Sequence, residues 1–455
     1  MKNLRWILIL SLLAAGSSLI YAQTYNTALG VNALILNTTG YRNVAVGDSA
    51  LGNNTTGYGN SATGYKALKG NAGGYFNTAV GGFSLTKTTM SYENTAVGYK
   101  AQELATGSKN VAMGYQSFHK GTGTSNVAIG NLSMHRGGGL ENTAIGYSAF
   151  QNSSGSHNTA IGSRALSLLS AKSGNTAVGY KAQVDANGMS NTSLGYRTLE
   201  RTTGNENIAL GYKAMFNAGS GNRNIGIGYQ SLLNITSGRE NTGLGTYVLQ
   251  SLSSGEHNIA MGYGAGRDLT TGSQNIIFGR ETHVSSSYSY NIIIGYRSAA
   301  LMGDNNIIIG KKISLPAGTS NGLNIGGVLF GSGLQSELPG NPTAQPANGK
   351  IGINVVNPQY TLDVNGTIRA KEVLVNLEAG ADFVFEDNYS LMKLDELDEY
   401  VKTNKHLPDV APAAVMESEG ISVSEMNALL LRKIEELTLY IIAQDKRIGE
   451  LERKK

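Results

Sequence analysis

Between Asn26 and Asn306 apolar and polar positions alternate in one five-residue phrase that returns eighteen times. It reads Asn-Thr-Ala-Val-Gly at Asn77 to Gly81, Asn94 to Gly98 and Asn175 to Gly179, and Asn-Thr-Ala-Ile-Gly at Asn142 to Gly146. Successive Asn residues stand 16 or 17 apart almost throughout, with one spacing of 15 and one of 18 at the far end. With Asn as position 1, position 2 is Thr, Val, Ile or Ser. Position 3 is almost always Ala, Gly or Ser until the last three full units, and position 4 is apolar except at Thr63. Position 5 is Gly in every unit, from Gly30 to Gly310. Alternation over positions 2 to 4 has the period of a strand, and Gly closes it too soon for a helix face to form. Positions 8 and 9 are often Ala-Leu, as in Ala67-Leu68 and Ala165-Leu166, and predict a second short strand. The rest of each unit is turn chemistry, as in Asn53-Asn54-Thr55-Thr56-Gly57.

A unit of strand, Gly turn, strand and polar loop cannot bury its apolar side chains alone. Stacked units can, because each strand pairs with its copy in the next coil, so the expected fold is an all-β repeat solenoid. Proline supports this, since none occurs before Pro316 and a central ladder strand needs its N–H groups. At ~4.8 Å per stacked strand the coils make a rod roughly 85 Å long. Its core is thin. Small residues at position 3 are expected to let another surface approach, and oligomerisation along the rod is the natural remedy. Position 3 becomes Ile277, Ile293 and Ile308 in the last full units, where the rod is expected to be wider or more tightly sealed.

Outside the repeats the pattern changes. Lys2 and Arg5 precede an apolar run from Trp6 to about Ile20, ending Tyr21-Ala22-Gln23, which reads as a secretory signal peptide over residues 1–22. The run is shorter than the ~20 residues a bilayer span needs, so a secreted or cell-surface protein with no membrane span after signal removal is expected. Asn324 opens a further unit that fails at Val328, and Pro339, Pro342 and Pro346 mark a Gly/Pro-rich linker over 328–348. Residues 349–423 read as a small α+β connector, with short strands to about Asn376 and helical character from Lys393 to Thr403. From 424 to 455 a heptad places Ile434, Ile441 and Ile448 at a and Leu430, Leu437, Gln444 and Leu451 at d, with Asn427 a polar a. This coiled coil is the expected oligomerisation element. Ile at a with Leu at d leans towards two strands, whereas Leu439 and Ile442 widen the apolar face in a way that suits three.

Composition narrows the class. The 455 residues include 60 Gly and 23 Tyr, no Cys and only 7 Pro. Gly without a strict three-residue period excludes collagen, and the lack of Cys excludes disulfides, cysteine zinc sites and a lipoprotein anchor. Charge is uneven: residues 26–323 carry 21 Lys/Arg against 12 Asp/Glu, and residues 324–455 carry 13 against 20. A mildly basic rod and an acidic tail point to two regions with different jobs.

These residues carry a resemblance. Over about residues 26–327 the ladder is similar to the YadA-like head repeat of trimeric autotransporter adhesins, with a slightly longer period than that family's usual unit. The resemblance implies a left-handed parallel β-roll assembled as a homotrimer. From Lys350 the chain resembles C-terminal regions of secreted bacterial surface fibres and, distantly, the intramolecular chaperone region of phage tail fibres. The matching pieces are Leu362-Asp-Val-Asn-Gly366, Asn404-Lys-His-Leu-Pro408 and Lys433-Ile-Glu-Glu-Leu-Thr-Leu-Tyr440. The phage opening motif is not recognisable, so self-cleavage is not carried over. The charged segment Glu450 to Lys455 does not match the amphipathic strand of an autotransporter barrel, and anchoring by that route is not expected.

No catalytic constellation emerges. The six histidines, His119, His135, His157, His257, His283 and His406, show no i, i+4 pairing with Glu and read as loop residues rather than metal ligands. Ser390-Leu-Met-Lys393 has the spacing of a Ser-x-x-Lys nucleophile, but Ser117-Phe-His-Lys120 shows the same spacing inside a repeat, so the pattern is coincidental. Gly262-Tyr-Gly-Ala-Gly266 lacks the strand-to-helix setting of a dinucleotide loop. Asp395-Glu396 and Asp398-Glu399 read as a solvated helix face. No cofactor and no nucleic-acid partner are expected. The candidate ligand-binding surface is the stripe at positions 6 and 7: Tyr65-Lys66, Tyr99-Lys100, Tyr180-Lys181, Tyr196-Arg197, Tyr212-Lys213 and Tyr296-Arg297. Stacked coils turn it into an aromatic and basic ladder suited to a glycan, a polyanion or a host or matrix surface, against the plainer reading of a solvated face whose charges block edge aggregation. The expectation is a non-catalytic secreted, surface-associated trimeric adhesin or fibre, with a tail-fibre-like structural or receptor-binding protein as the alternative.

Overall fold

The computed structural model describes residues 25–168, 172–185, 187–300, 303–333, 348–375 and 382–454. The stretch read as a signal peptide, and residues 334–347 of the stretch read as a linker, lie outside them. Each repeat gives one three-residue strand, from Thr27–Leu29 to Ile276–Phe278, and the strands lengthen at Ile292–Tyr296 and Ile307–Lys311. Successive strands pair in parallel and in register, as Thr78, Ala79 and Val80 do with Thr95, Ala96 and Val97. The result is a parallel β-solenoid of about 18 turns.

The second strand expected at positions 8 and 9 does not form; this segment is turn. A strand sends successive side chains to opposite faces. Here Ala67 and Leu68 are both fully buried, as are Ala165 and Leu166. That is possible because the Leu takes a left-handed conformation, with φ of 51° at Leu68 and 49° at Leu166. The backbone still bonds between coils: Leu68 N donates to Ser84 O at 2.9 Å.

Position 3 also faces the other way from the expectation. Ala62, Ala79, Ala96 and their copies point into the coil's own core and are fully buried, so they offer nothing to a second surface. The small residue leaves room for the large one at position 9, such as Leu68, Phe118 or Met134. Volume is exchanged between these positions along the rod. A Cβ on Gly226 would sit 2.8 Å from Met215 Cγ, and one on Gly266 would sit 2.8 Å from Ile277 Cδ1. Ile277, Ile293 and Ile308 thus fill the core from position 3 near the end.

The Asn at position 1 is buried and bonded twice over. Asn77 N and Nδ2 both donate to Asn60 Oδ1 at 3.0 Å, and Nδ2 also donates to Ser91 O at 2.8 Å. The Gly at position 5 is required by close backbone approach: at Gly98, φ is 131° and a Cβ would lie 2.6 Å from Gly114 O. A Cβ there meets the next coil's backbone, which cannot give way.

The rod ends by reversing direction. Leu323–Ile325 pairs in parallel with the preceding strand, but Asn324 lies opposite Ile308, not Asn306. Gly322 takes the place of the ladder Asn, donating its N–H to Asn306 Oδ1 at 3.0 Å. The sequence reading of Asn324 as position 1 was therefore two residues out. Leu329–Ser332, inside the stretch read as linker, is a strand antiparallel to Leu323–Ile325. Lys350–Ile353 and Leu362–Val364 extend the same sheet, and this compact unit runs to Gly366.

The second unit, Thr367–Lys455, contains a 3-10 turn at Asp382–Phe385 and three helices: α1 Leu394–Asn404, α2 Ala413–Glu419 and α3 Val423–Arg453. α1 and α3 match the helical stretches read from sequence, whereas α2 and the 3-10 turn were not foreseen. Ser422 caps α3, its side chain accepting from Glu425 N. Tyr440 Oη donates to Met392 O at 2.5 Å, and Arg432 Nη2 donates to Asp409 Oδ2 at 2.8 Å, tying the preceding segment to α3.

Candidate functional site

The residues at positions 6 and 7 follow the Gly turn at the strand's end. Position 7 is left-handed at every candidate cation, with φ between 52° at Lys213 and 59° at Lys100. Its amide donates back to position 6 of the preceding coil. Lys181 N reaches Ser163 O at 3.0 Å, Arg197 N reaches Tyr180 O at 2.9 Å, and Lys213 N reaches Tyr196 O at 2.9 Å. Side chains here are thus held at the coil-to-coil spacing.

Three groups result. In the first, Tyr180, Tyr196, Tyr212 and Tyr229 stack with centroids 5.2, 5.2 and 5.0 Å apart and nearly parallel planes. Lys181 Nζ lies 5.5 Å from the Tyr180 centroid and Lys213 Nζ lies 5.3 Å from that of Tyr212. In the second, Tyr65 and Tyr99 meet Phe83 edge-on from either side, at 5.1 and 5.9 Å. Lys66 and Lys100 lie over the same Phe83 ring, at 5.5 and 5.7 Å. Tyr296 and Arg297 stand apart near the rod's end, with Arg297 Cζ 5.3 Å from the Tyr296 centroid.

The cations are not equivalent. Arg197 is held by Glu200 through a two-pronged ion pair, which raises the guanidinium's pKa. Arg297 Nε lies 2.5 Å from Glu281 Oε2; the pair raises the Arg297 pKa and lowers that of Glu281. Lys100 Nζ is 3.6 Å from Glu103 Oε2. Among the described residues Lys66, Lys181 and Lys213 have no carboxylate partner. Arg164, left out of the sequence reading because Ser163 precedes it, occupies the same position one coil before Lys181 and is exposed.

Two further surfaces were not foreseen. Tyr41, Tyr58, Tyr75 and Tyr92 stack at 5.0, 5.1 and 5.0 Å just before the strands, with Arg42 over one end and Lys109 over the other. Regular recurrence at a 17-residue interval was the available signal. The second surface is the outer face of the strands, where positions 2 and 4 leave apolar side chains in solvent. Val80, Met113, Ile145, Leu194, Ile259 and Ile294 are all exposed. Position 2 is mostly Thr in the first half, but from Ile259 to Ile307 both positions are apolar.

A polar column joins three coils elsewhere. His119 Nε2 lies 2.7 Å from Glu103 Oε2, and the His119 and His135 rings stack at 5.0 Å. Burial first, then the charges of His119, Arg136 and Lys120, push the His135 imidazole down to about 4. Among the described residues no three His, Asp or Glu side chains converge as a metal set, and no helix is long and apolar enough to cross a membrane.

In the second unit the heptad residues Leu430, Ile434, Leu437, Ile441, Ile448 and Leu451 are all exposed along α3, and Gln444 with them. Leu430, Ile434 and Leu437 line an apolar groove with Leu397, Leu407 and Pro408.

Fold and site together define a repeat β-solenoid with an aromatic and basic stripe. No protein-family model matches the chain, and a search of curated proteins finds no significant relative.

Proposed function

We propose that this chain is a secreted, surface-associated fibre protein or adhesin that works as a homotrimer, its rod serving as the binding surface and its C-terminal helix driving assembly. The observation that carries this reading is the apolar outer face of the strands. Monomeric soluble proteins rarely expose a contiguous apolar patch larger than a few hundred Å². Position 4 is apolar in every coil but that of Thr63, and positions 2 and 4 are both apolar from Ile259 to Ile307, so a row repeated along a rod roughly 85 Å long exceeds that. The exposed seam of α3 makes the same demand in the second unit. The basic and apolar stretch at the N-terminus, read as a leader, supports export, and recognition is work that a long regular surface can do.

Sedimentation of the full chain lacking residues 1–22 tests this. A trimer mass at micromolar concentration is expected. Ile259→Asp with Ile294→Asp should shift the mass towards monomer, because each charge would be buried unpaired. A monomer for the parent protein would end the reading.

A further inference from the structure

We propose that the row formed by Arg164, Lys181, Arg197 and Lys213 is a docking site for a linear sulfated polysaccharide, held by charge and not by ring stacking. The inference rests on the reading of the rod as a binding surface and adds the chemical class of its ligand.

Four consecutive coils supply the row, since the strands Thr159–Ile161, Thr176–Val178, Thr192–Leu194 and Ile208–Leu210 pair in that order. Each cation's amide is bonded to the coil before it, so the points where the side chains leave the backbone advance by ~4.8 Å per coil, well inside a Debye length of about 8 Å. Neighbouring charges at that spacing act on a ligand as one line. They also repel one another, and the protein has damped one of them: Glu200 holds Arg197, while Arg164, Lys181 and Lys213 have no carboxylate partner among the described residues. Lys66 and Lys100 share Phe83 as Arg197 and Lys213 share Phe216, but the coil of Phe83 carries no cation at position 6 or 7, and Arg297 is tied to Glu281.

The aromatic stack decides the class. Neutral sugars and unpaired bases use open aromatic faces as platforms. Tyr196 has Tyr180 on one face and Tyr212 on the other, and Tyr212 is flanked in turn by Tyr229. Those two rings have both faces closed, leaving their edges beside the row, and Tyr180 at the end of the stack is covered on one face. A ligand that brings regularly spaced anions and needs no platform fits; a neutral glycan or a single-stranded nucleic acid does not.

The test uses the full chain and titrates heparin, a neutral β-linked hexasaccharide and single-stranded oligothymidine by calorimetry at low and raised salt. Heparin is expected to bind, to weaken with salt, and to bind about tenfold or more weakly to Arg164→Gln/Lys181→Gln/Lys213→Gln. Lys66→Gln/Lys100→Gln should stay within about twofold of the parent. Glu200→Gln frees Arg197 and should strengthen binding by about twofold or more, a gain that misfolding cannot mimic. Heparin binding unchanged in the triple variant, or tighter binding of the hexasaccharide or the oligothymidine, overturns the proposal. Sedimentation of the same samples separates the two readings. A monomeric parent ends the fibre reading whatever heparin does, and unchanged heparin binding by a trimeric triple variant ends the row alone.

Discussion

Asn175 shows what one ladder residue does. Its Oδ1 accepts from Asn191 N at 3.0 Å and its Nδ2 donates to Gly188 O at 3.0 Å, all within the buried core. Asn175→Ala leaves both partners without their bond, and each orphaned buried group costs about 1–3 kcal/mol, so a loss of roughly 2–4 kcal/mol is expected in urea unfolding. A loss under about 0.5 kcal/mol would mean that water replaces the side chain. His135 makes a different prediction. Its folded-state pKa is depressed from 6.5 to about 4, so the unfolded chain takes up a proton that the folded chain refuses. The stability it contributes is fully present above pH 6.5 and is lost as pH falls towards about 4. Melting temperature should therefore drop between about pH 7 and pH 5, above the range where carboxylates titrate, and His135→Gln should flatten that drop. An identical drop in the variant would assign the effect elsewhere.

Among the elements, the strand was legible because positions 2 to 4 alternate and Gly stops them. The segment after it was not, because Ala-Leu reads equally as strand or as two inward residues joined by a left-handed turn. Only the second fits two fully buried neighbours, and no hydrophobic period encodes the sign of φ. Position 3 was legible as small but not as inward, since a strand with one face inside a coil and one outside looks the same in either orientation. The positions of the stripe were also legible, yet its closed ring faces and its ion pairs were not. They depend on which residue of the next coil lies alongside, as with Phe83 between Lys66 and Lys100, or Glu281 beside Arg297. In α3 the heptad was plain because a helix and a seam share one period. Ile434→Asp with Ile441→Asp should weaken self-association by about tenfold or more, seen by sedimentation, while far-UV circular dichroism keeps the helical signal, since both residues are exposed in the single chain. Unchanged association would place all of the assembly energy on the strand face.

At the scale of the whole molecule the rod is nearly one-dimensional: each coil touches only its neighbours, so stability is a sum of coil and interface contributions. Removing one complete coil should therefore leave a shorter rod whose remaining contacts are all of native type. Deleting Asn60 to Phe76 joins Gly59 to Asn77 and restores the order of Asn, Gly and apolar rows, because Asn77 and Gly81 take the places of Asn60 and Gly64 opposite Asn43 and Gly47. Thermal unfolding of that variant should stay within a few degrees of the parent, and the rod should shorten by ~4.8 Å. Deleting only Asn60 to Leu68 has the opposite consequence. It leaves a partial coil that sets ladder Asn residues against turn positions and buries polar groups without partners, so a large loss of stability or of soluble protein is expected. Heparin titration of the first variant then separates stacking from recognition. The deleted coil lies outside the Arg164 to Lys213 row, so affinity should be unchanged although the rod is shorter, and a proportional fall would mean that the ligand reads the rod's length and not that row.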